Sequence, residues 1–234
     1  MLTVYRLELK RSFTTVFGAL ILAALLLCNG VVLTVYNLAY GTASLTQTQD
    51  LLTILYLVLI PILACRALPQ ERRDGTDLFL YSLPVSSLSI AVGKYLAIAT
   101  VLGLSFVPLL ISPIIFSAYG ASSVGALLIH WITFFLLCLL LLAICYCISA
   151  FIKRPIYAAL LGVGALVLIY LFPLLTSVTS NRLLAAEPFH HLLGASYGRL
   201  DIVALAIYAG GFALCVLIVA CVIEHRREGL GDGE

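Results

Sequence analysis

Residues 95–152 read YLAIATVLGLSFVPLLISPIIFSAYGASSVGALLIHWITFFLLCLLLLAICYCISAFI, without a single Asp, Glu, Lys or Arg. A helix crossing the hydrocarbon core of a bilayer needs about 20 apolar residues, so 58 are too many for one crossing. The run loosens at Tyr119-Gly120-Ala121-Ser122-Ser123, which predicts two crossings, near 95–118 and 125–152. Pro108 and Pro113 lie inside the first and predict a kink or partial unwinding there. Irregular backbone at that depth is tolerated where protein covers it.

The same reading extends outward. Charge is also missing between Arg11 and Asp50, between Arg154 and Arg182, and between Asp201 and Glu224. These gaps predict spans near 13–36, 156–178 and 202–223, and Leu51 to Leu68 makes a slightly short second span. The expectation is an all-α polytopic membrane protein with six transmembrane helices, a single transmembrane domain over 1–234. Of its 234 residues, 63% are hydrophobic and 10% are charged. A soluble domain of this size carries about 25% charged residues to wet its surface, so the bilayer is the implied solvent. A net charge of +2 is too small to suggest nucleic acid as a partner.

An even number of spans puts both termini on one side, and the Lys/Arg bias identifies that side. Arg6, Lys10, Arg11, Arg66, Arg72, Arg73, Lys94, Lys153, Arg154, Arg226 and Arg227 fall together, with only Arg182 and Arg199 opposite. The bias predicts a multi-pass protein of the cell (cytoplasmic) membrane with both termini cytoplasmic. Phe13 to Asn29 is not a cleavable signal, since a longer apolar stretch follows and no small-x-small site is evident.

Two segments flank the spans at the charged end. Leu2, Tyr5, Leu9 and Phe13 form one stripe of a helical wheel, with Glu8, Lys10 and Arg11 elsewhere on the circumference. This predicts an N-terminal amphipathic helix lying in the membrane interface. Between spans 2 and 3, Arg66 to Lys94 sets Glu71, Arg72, Arg73, Asp74 and Asp77 beside an apolar patch of Leu78, Phe79, Leu80, Tyr81 and Leu83. Thr76 after Gly75 can cap a short helix, Pro84 breaks it, and Ser86 or Ser87 can cap a second helix running into span 3. The result is a cytoplasmic helical hairpin whose apolar face awaits a partner. At the opposite end, Glu187-Pro188 reads as the start of a short outer helix.

No charged residue falls near the middle of a span, where ion-coupled carriers keep their ionisable groups. No phosphate-binding Gly-x-x-x-x-Gly-Lys-Ser/Thr loop occurs, because Gly93-Lys94 lacks the first glycine and the hydroxyl residue. Any uphill transport therefore draws its energy from another subunit. His130 and Trp131 are placed as headgroup anchors near the outer end of span 4. The seven cysteines fall in or at the ends of spans and read as small apolar residues, and no metal site is expected. Ala158, Ala159, Gly162 and Gly164 let another helix approach closely, in a dimer or internally. No catalytic residues are expected, so the chain reads as a non-enzyme.

Glu71-Arg72-Arg73-Asp74-Gly75-Thr76, Ser82-Leu83-Pro84-Val85-Ser86 and Gly93-Lys94-Tyr95 resemble the E-x-x-x-G-T … S-x-P-V-S … G-K signature of type-2 ABC transporter permeases. The gliding-motility-like branch is the nearest in pattern. Ile148-Ser149-Ala150-Phe151, the stretch from Phe189-His190-His191 to Gly198-Arg199-Leu200-Asp201, and the arginine-rich end after Glu224 extend the likeness over the whole chain. The resemblance implies a permease subunit of an ATP-driven exporter working by alternating access. It implies a second permease subunit, identical or related, and two copies of a cytoplasmic ATPase subunit. No cofactor is bound by this chain; ATP and Mg belong to that ATPase. Glu71, Arg72, Arg73, Asp74, Gly75, Thr76, Phe79, Leu83, Pro84 and Ser86 would form the coupling hairpin that docks it, and Leu2, Tyr5, Leu9 and Phe13 the elbow helix. A haem-exporter-type permease of cytochrome c maturation is similar in length, span count and proline-rich third span. A membrane scaffold or immunity protein that binds partners without transporting is the alternative from another class.

Overall fold

The computed structural model of the chain describes residues 2–35, 45–75, 86–118, 124–176 and 202–231. Every element among them is a helix: α1 (Leu2–Thr14), α2 (Val16–Leu33), α3 (Leu45–Ala64), α4 (Pro69–Asp74), α5 (Ser87–Ser105), α6 (Val107–Ala118), α7 (Val124–Phe151), α8 (Pro155–Thr176) and α9 (Ile202–Gly231). Six stretches are long and apolar enough to cross a membrane: Val16–Leu33, Thr48–Arg73, Ser87–Ile115, Val124–Phe151, Pro155–Phe172 and Ile202–Arg227. The chain is an all-α polytopic membrane protein with six apolar spans.

Two spans start earlier than hydropathy alone suggests. α3 begins at Leu45, ahead of Asp50, and its first turns bury Thr48 and Gln49. α5 begins at Ser87, so Lys94 lies two turns inside a helix instead of in the wet loop before it. Ser86 is the N-cap: its backbone is extended and its hydroxyl accepts from the Ser89 amide at 3.4 Å. That satisfies one of the donors that a helix start leaves over.

The chain turns sharply between α1 and α2. The Thr15 hydroxyl donates to the Arg11 carbonyl at 2.5 Å, closing α1 while the Thr15 backbone is already extended. Gly18 is required here, because a Cβ would run into the Ser12 carbonyl oxygen. α4 is opened by Pro69 at its first position and closed by Gly75 at φ +69°, the left-handed conformation that glycine adopts freely.

α7 is the axis of the bundle. It packs against α3, α5, α6, α8 and α9 and buries Leu127, Trp131, Phe134, Leu137, Leu141 and Tyr146. The Tyr95 hydroxyl donates to the Leu139 carbonyl at 2.8 Å and the Tyr146 hydroxyl to the Ala91 carbonyl at 3.1 Å, stitching α5 to α7. Apolar side chains on the outer faces of α2, α8 and α9 are exposed, as at Val16 (82%), Ile156 (75%) and Ile202 (83%). In a bilayer these faces meet lipid tails, which cost them nothing.

Small residues set the closest helix contacts. A Cβ at Gly162 would lie 2.9 Å from the Pro61 Cβ and 3.5 Å from the Cys145 Sγ, so α8 packs against α3 and α7 at that point. Ala158 is buried as well, whereas Gly164 has open space where a Cβ would be. Two of the four small residues therefore serve internal packing.

The third span is broken where proline predicted. α5 ends at Ser105, Phe106 forms a turn, and α6 restarts with Pro108 as its second residue. Pro108 has no N–H to donate, which frees carbonyls of the preceding turn. Asn29 of α2 supplies the substitute: its Nδ2 donates to the Ser105 carbonyl at 2.6 Å and to the Tyr56 hydroxyl at 2.9 Å. All three residues are buried, so the irregular backbone is covered by protein.

Candidate functional site

Four charged side chains converge where α1, α4 and α5 meet. The Lys94 Nζ donates to Glu8 Oε1 at 2.7 Å, to Glu71 Oε2 at 2.5 Å and to the Ala67 carbonyl at 3.4 Å. An ammonium has three protons, and all three are used. The other Glu71 oxygen, Oε1, accepts from Arg11 Nη1 at 2.8 Å. Side-chain exposure is 1% for Lys94, 8% for Glu71 and 14% for Glu8. Two carboxylates face two cations, so the cluster is formally neutral, which is what allows it to be buried.

Glu8 belongs to α1, outside the spans. Burial pushes its carboxyl upward, but the Lys94 ammonium and its hydrogen bond, then a hydrogen bond with Glu71 and the charge of Arg11, outweigh that and hold it below its ordinary value. α1 is therefore held by charge as well as by apolar contact. Beside the cluster a cavity of about 30 Å³ lies between Glu8, Arg11 and Arg66, room for one water.

A second tie lies on the far side of α4. Arg72 Nη1 donates to the Ala150 carbonyl at 2.6 Å and to the Ile152 carbonyl at 3.2 Å. Arg226 Nη2 of α9 reaches the same Ala150 carbonyl at 3.4 Å. The last carbonyls of a helix lack intrahelical donors and carry partial negative charge, so two guanidiniums cap α7. α4, only six residues long, is thus fixed to α1 and α5 through Glu71 and to α7 through Arg72.

The residues expected in the hairpin separate into groups. Glu71 is buried and Arg72 half-buried, both turned into the protein instead of outward. The reason is geometric: successive helical residues point about 100° apart, and α4 lies between two sets of opposite charge. Arg73, Gly75 and Ser86 are exposed. Asp74 is the last residue of α4. Thr76, Phe79, Leu83 and Pro84 lie outside the described residues, as do the break at 119–123 and the outer helix expected after Glu187. On α1, Leu2 and Phe13 are exposed, while Tyr5 and Leu9 are half-buried.

His130 and Trp131 are not headgroup anchors. Both have 0% exposure and pack among Phe134 and its neighbours, six and seven residues into α7. At 1.5 Å per residue that is about 10 Å below the start of the helix. Apolar packing of the rings has overridden their interfacial preference. All seven cysteines are free thiols. Among the described residues no group of three or more His, Cys, Asp or Glu side chains could hold a metal ion.

Residues 27–194 match the family described as ABC-2 family transporter protein, which is well over half of the chain. The chain belongs to the ABC-2 family of transporters. Among curated proteins none matches it. Membership places the chain in a family of ABC-type membrane permeases. The ABC-2 region takes in α3 to α8, and with them Glu71, Arg72 and Lys94; Glu8 and Arg11 precede it. Sequence reasoning found Glu71 and Arg72 by motif but missed Lys94, Glu8 and Arg11 as their partners. A lysine two turns after a serine cap was the available signal.

Proposed function

We propose that this chain is the transmembrane permease subunit of an ATP-driven exporter, moving substrate across the cytoplasmic membrane by alternating access. Both termini and α4 face the cytoplasm, where ATP and Mg are bound and hydrolysed in a separate ATPase subunit present in two copies. A second permease subunit, identical or related, completes the pathway. The observation that carries the reading is the double anchorage of α4 through Glu71 and Arg72. A short helix at the charged end, wired to three spans or span-flanking helices at once, is a lever. Displacing α4 as a docked ATPase closes on nucleotide would move α1, α5 and the end of α7 together. The exposed Arg73, with the segment that follows Gly75, is the surface the ATPase would grip.

The test is hydrolysis and composition together. Purified alone, the chain should show no ATP turnover above background, and turnover should appear when it co-purifies with a cytoplasmic ATPase. Turnover by the rigorously purified single chain, or a membrane complex with no ATPase subunit in it, would overturn the reading.

A further inference from the structure

Next to the ionic cluster, and sharing Arg66 and Gln70 with the small cavity beside it, a groove of about 560 Å³ runs between the start of α2, the end of α3, α4 and the start of α8. Its walls are apolar, formed by Phe17, Ile62, Ala159, Leu160 and Val163. Its charged end is lined by Arg66, Gln70 and Arg73. The Arg66 guanidinium lies over the Phe17 ring, 4.7 Å from its centroid, and its Nε donates to Gln70 Oε1 at 3.2 Å. Neither Arg66 nor Arg73 forms an ion pair among the described residues, since Glu8 and Glu71 are engaged by Lys94 and Arg11. The groove opens sideways, past Ile156 and Leu160, which are 75% and 68% exposed.

An apolar trough that opens onto lipid and ends in two arginines, neither in an ion pair among the described residues, is complementary to an amphiphile with an anionic head. We propose that it holds an acidic phospholipid, its phosphate on Arg66 and Arg73 and an acyl chain along Phe17, Ile62 and Leu160. A zwitterionic headgroup carries its own ammonium and leaves the arginines uncompensated; an acidic one supplies the missing charge. Arg66 is half-buried and oriented by the Phe17 ring and Gln70, so its donors are held in place before the lipid arrives. The site needs neither transport nor an ATPase. Its role is to join α2 and α8 at this end through a lipid wedge.

The experiment is native mass spectrometry of the full chain, extracted from bilayers of equal phosphatidylglycerol and phosphatidylcholine with matched acyl chains. Preferential retention of phosphatidylglycerol is expected, falling about fivefold for each of Arg66→Gln and Arg73→Gln, from roughly 1 kcal/mol per basic residue. Ala159→Trp, which fills the trough and leaves both arginines, should abolish it. Arg73 is exposed, so Arg73→Gln tests the site even where Ala159→Trp fails to fold. Equal retention of the two lipids, or unchanged preference in the double glutamine variant, would overturn the proposal. So would displacement of the lipid by millimolar inorganic phosphate, which would mean an anion site without an acyl chain. Disulfide-linked pairs of a Leu160→Cys variant in membranes would show a second copy in the groove and would also refute it.

Discussion

Lys94 and Glu71 meet at 2.5 Å with side chains 1% and 8% exposed, joining a span to the short helix that precedes it by a contact hidden from solvent. The same lysine holds Glu8, so one ammonium ties the N-terminal helix and α4 to α5. Around it the opposing carboxylates number two and the supporting cation is Arg11.

Lys94→Met should be severely destabilising. It leaves Glu8 and Glu71 buried without the ammonium they share, and removing one partner of a buried pair costs about 3–5 kcal/mol. Adding Glu71→Gln and Glu8→Gln should recover much of the loss, because the apolar methionine then faces neutral groups. Thermal unfolding in detergent measures both. A triple variant no more stable than Lys94→Met would show that charge is not what the lysine compensates.

Acid should loosen α1 through Glu8. Its folded carboxyl titrates below the ordinary 4.5, so the folded state binds fewer protons than the unfolded one in that window. The resulting stability is present above 4.5 and is lost as pH falls through the folded value. Wild type should therefore exceed Glu8→Gln in Tm at neutral pH, and the gap should narrow as pH drops below 4.5. A gap unchanged down to about pH 3 would remove Glu8 from the pH response.

Docking variants should divide according to burial. Phe79→Ala truncates an aromatic of the apolar patch and should cost about 2 kcal/mol of ATPase binding, roughly thirtyfold. Arg73→Glu, on an exposed side chain, should weaken co-purification by less. Glu71→Lys should instead lower Tm, since it sets a second ammonium beside Lys94. Full ATPase retention in Phe79→Ala, Arg73→Glu would mean that this segment is not the docking element.

Topology can be read with single cysteines in a cysteine-free background. Positions Ser44 and Ser180 should react with an impermeant thiol reagent added to intact cells. Ser86 should not, and it is a better reporter than Ser87 because Ser86 is exposed and Ser87 is buried. Labelling at position 86 from outside would invert the arrangement.

The six spans were legible because lipid excludes charge, and charge-free runs are visible in one dimension. Ser86 as a cap and the break near Pro108 were legible because both follow from backbone donors. The direction in which Glu71 and Lys94 point was not. Charge marks the end of a span by hydropathy, yet here α5 starts seven residues before Lys94 and α1 folds over it. Thr48 and Gln49 hid the start of α3 in the same way, since polar side chains buried in a bundle look like a loop in sequence. His130 and Trp131 were placed at the headgroups by residue type, and packing decided otherwise. The small residues of α8 could not be apportioned until Pro61 was seen against Gly162.

Synthesis order gives the ionic cluster a further meaning. Glu8 and Lys94 are 86 residues apart, and Arg11 and Glu71 are 60 apart. α1 leaves the ribosome before α5, so the Glu8 carboxylate has no lysine to bind until the third span has followed. Arg11 can meet Glu71 once α4 has followed the second span, but until Lys94 arrives the Glu8 carboxylate lacks its ammonium. The full set of ionic contacts on α1 therefore becomes possible only after the third span has been made. Were the third span to insert inverted, Lys94 would lie on the wrong side of the bilayer, and Glu8 and Glu71 would lose the ammonium they share.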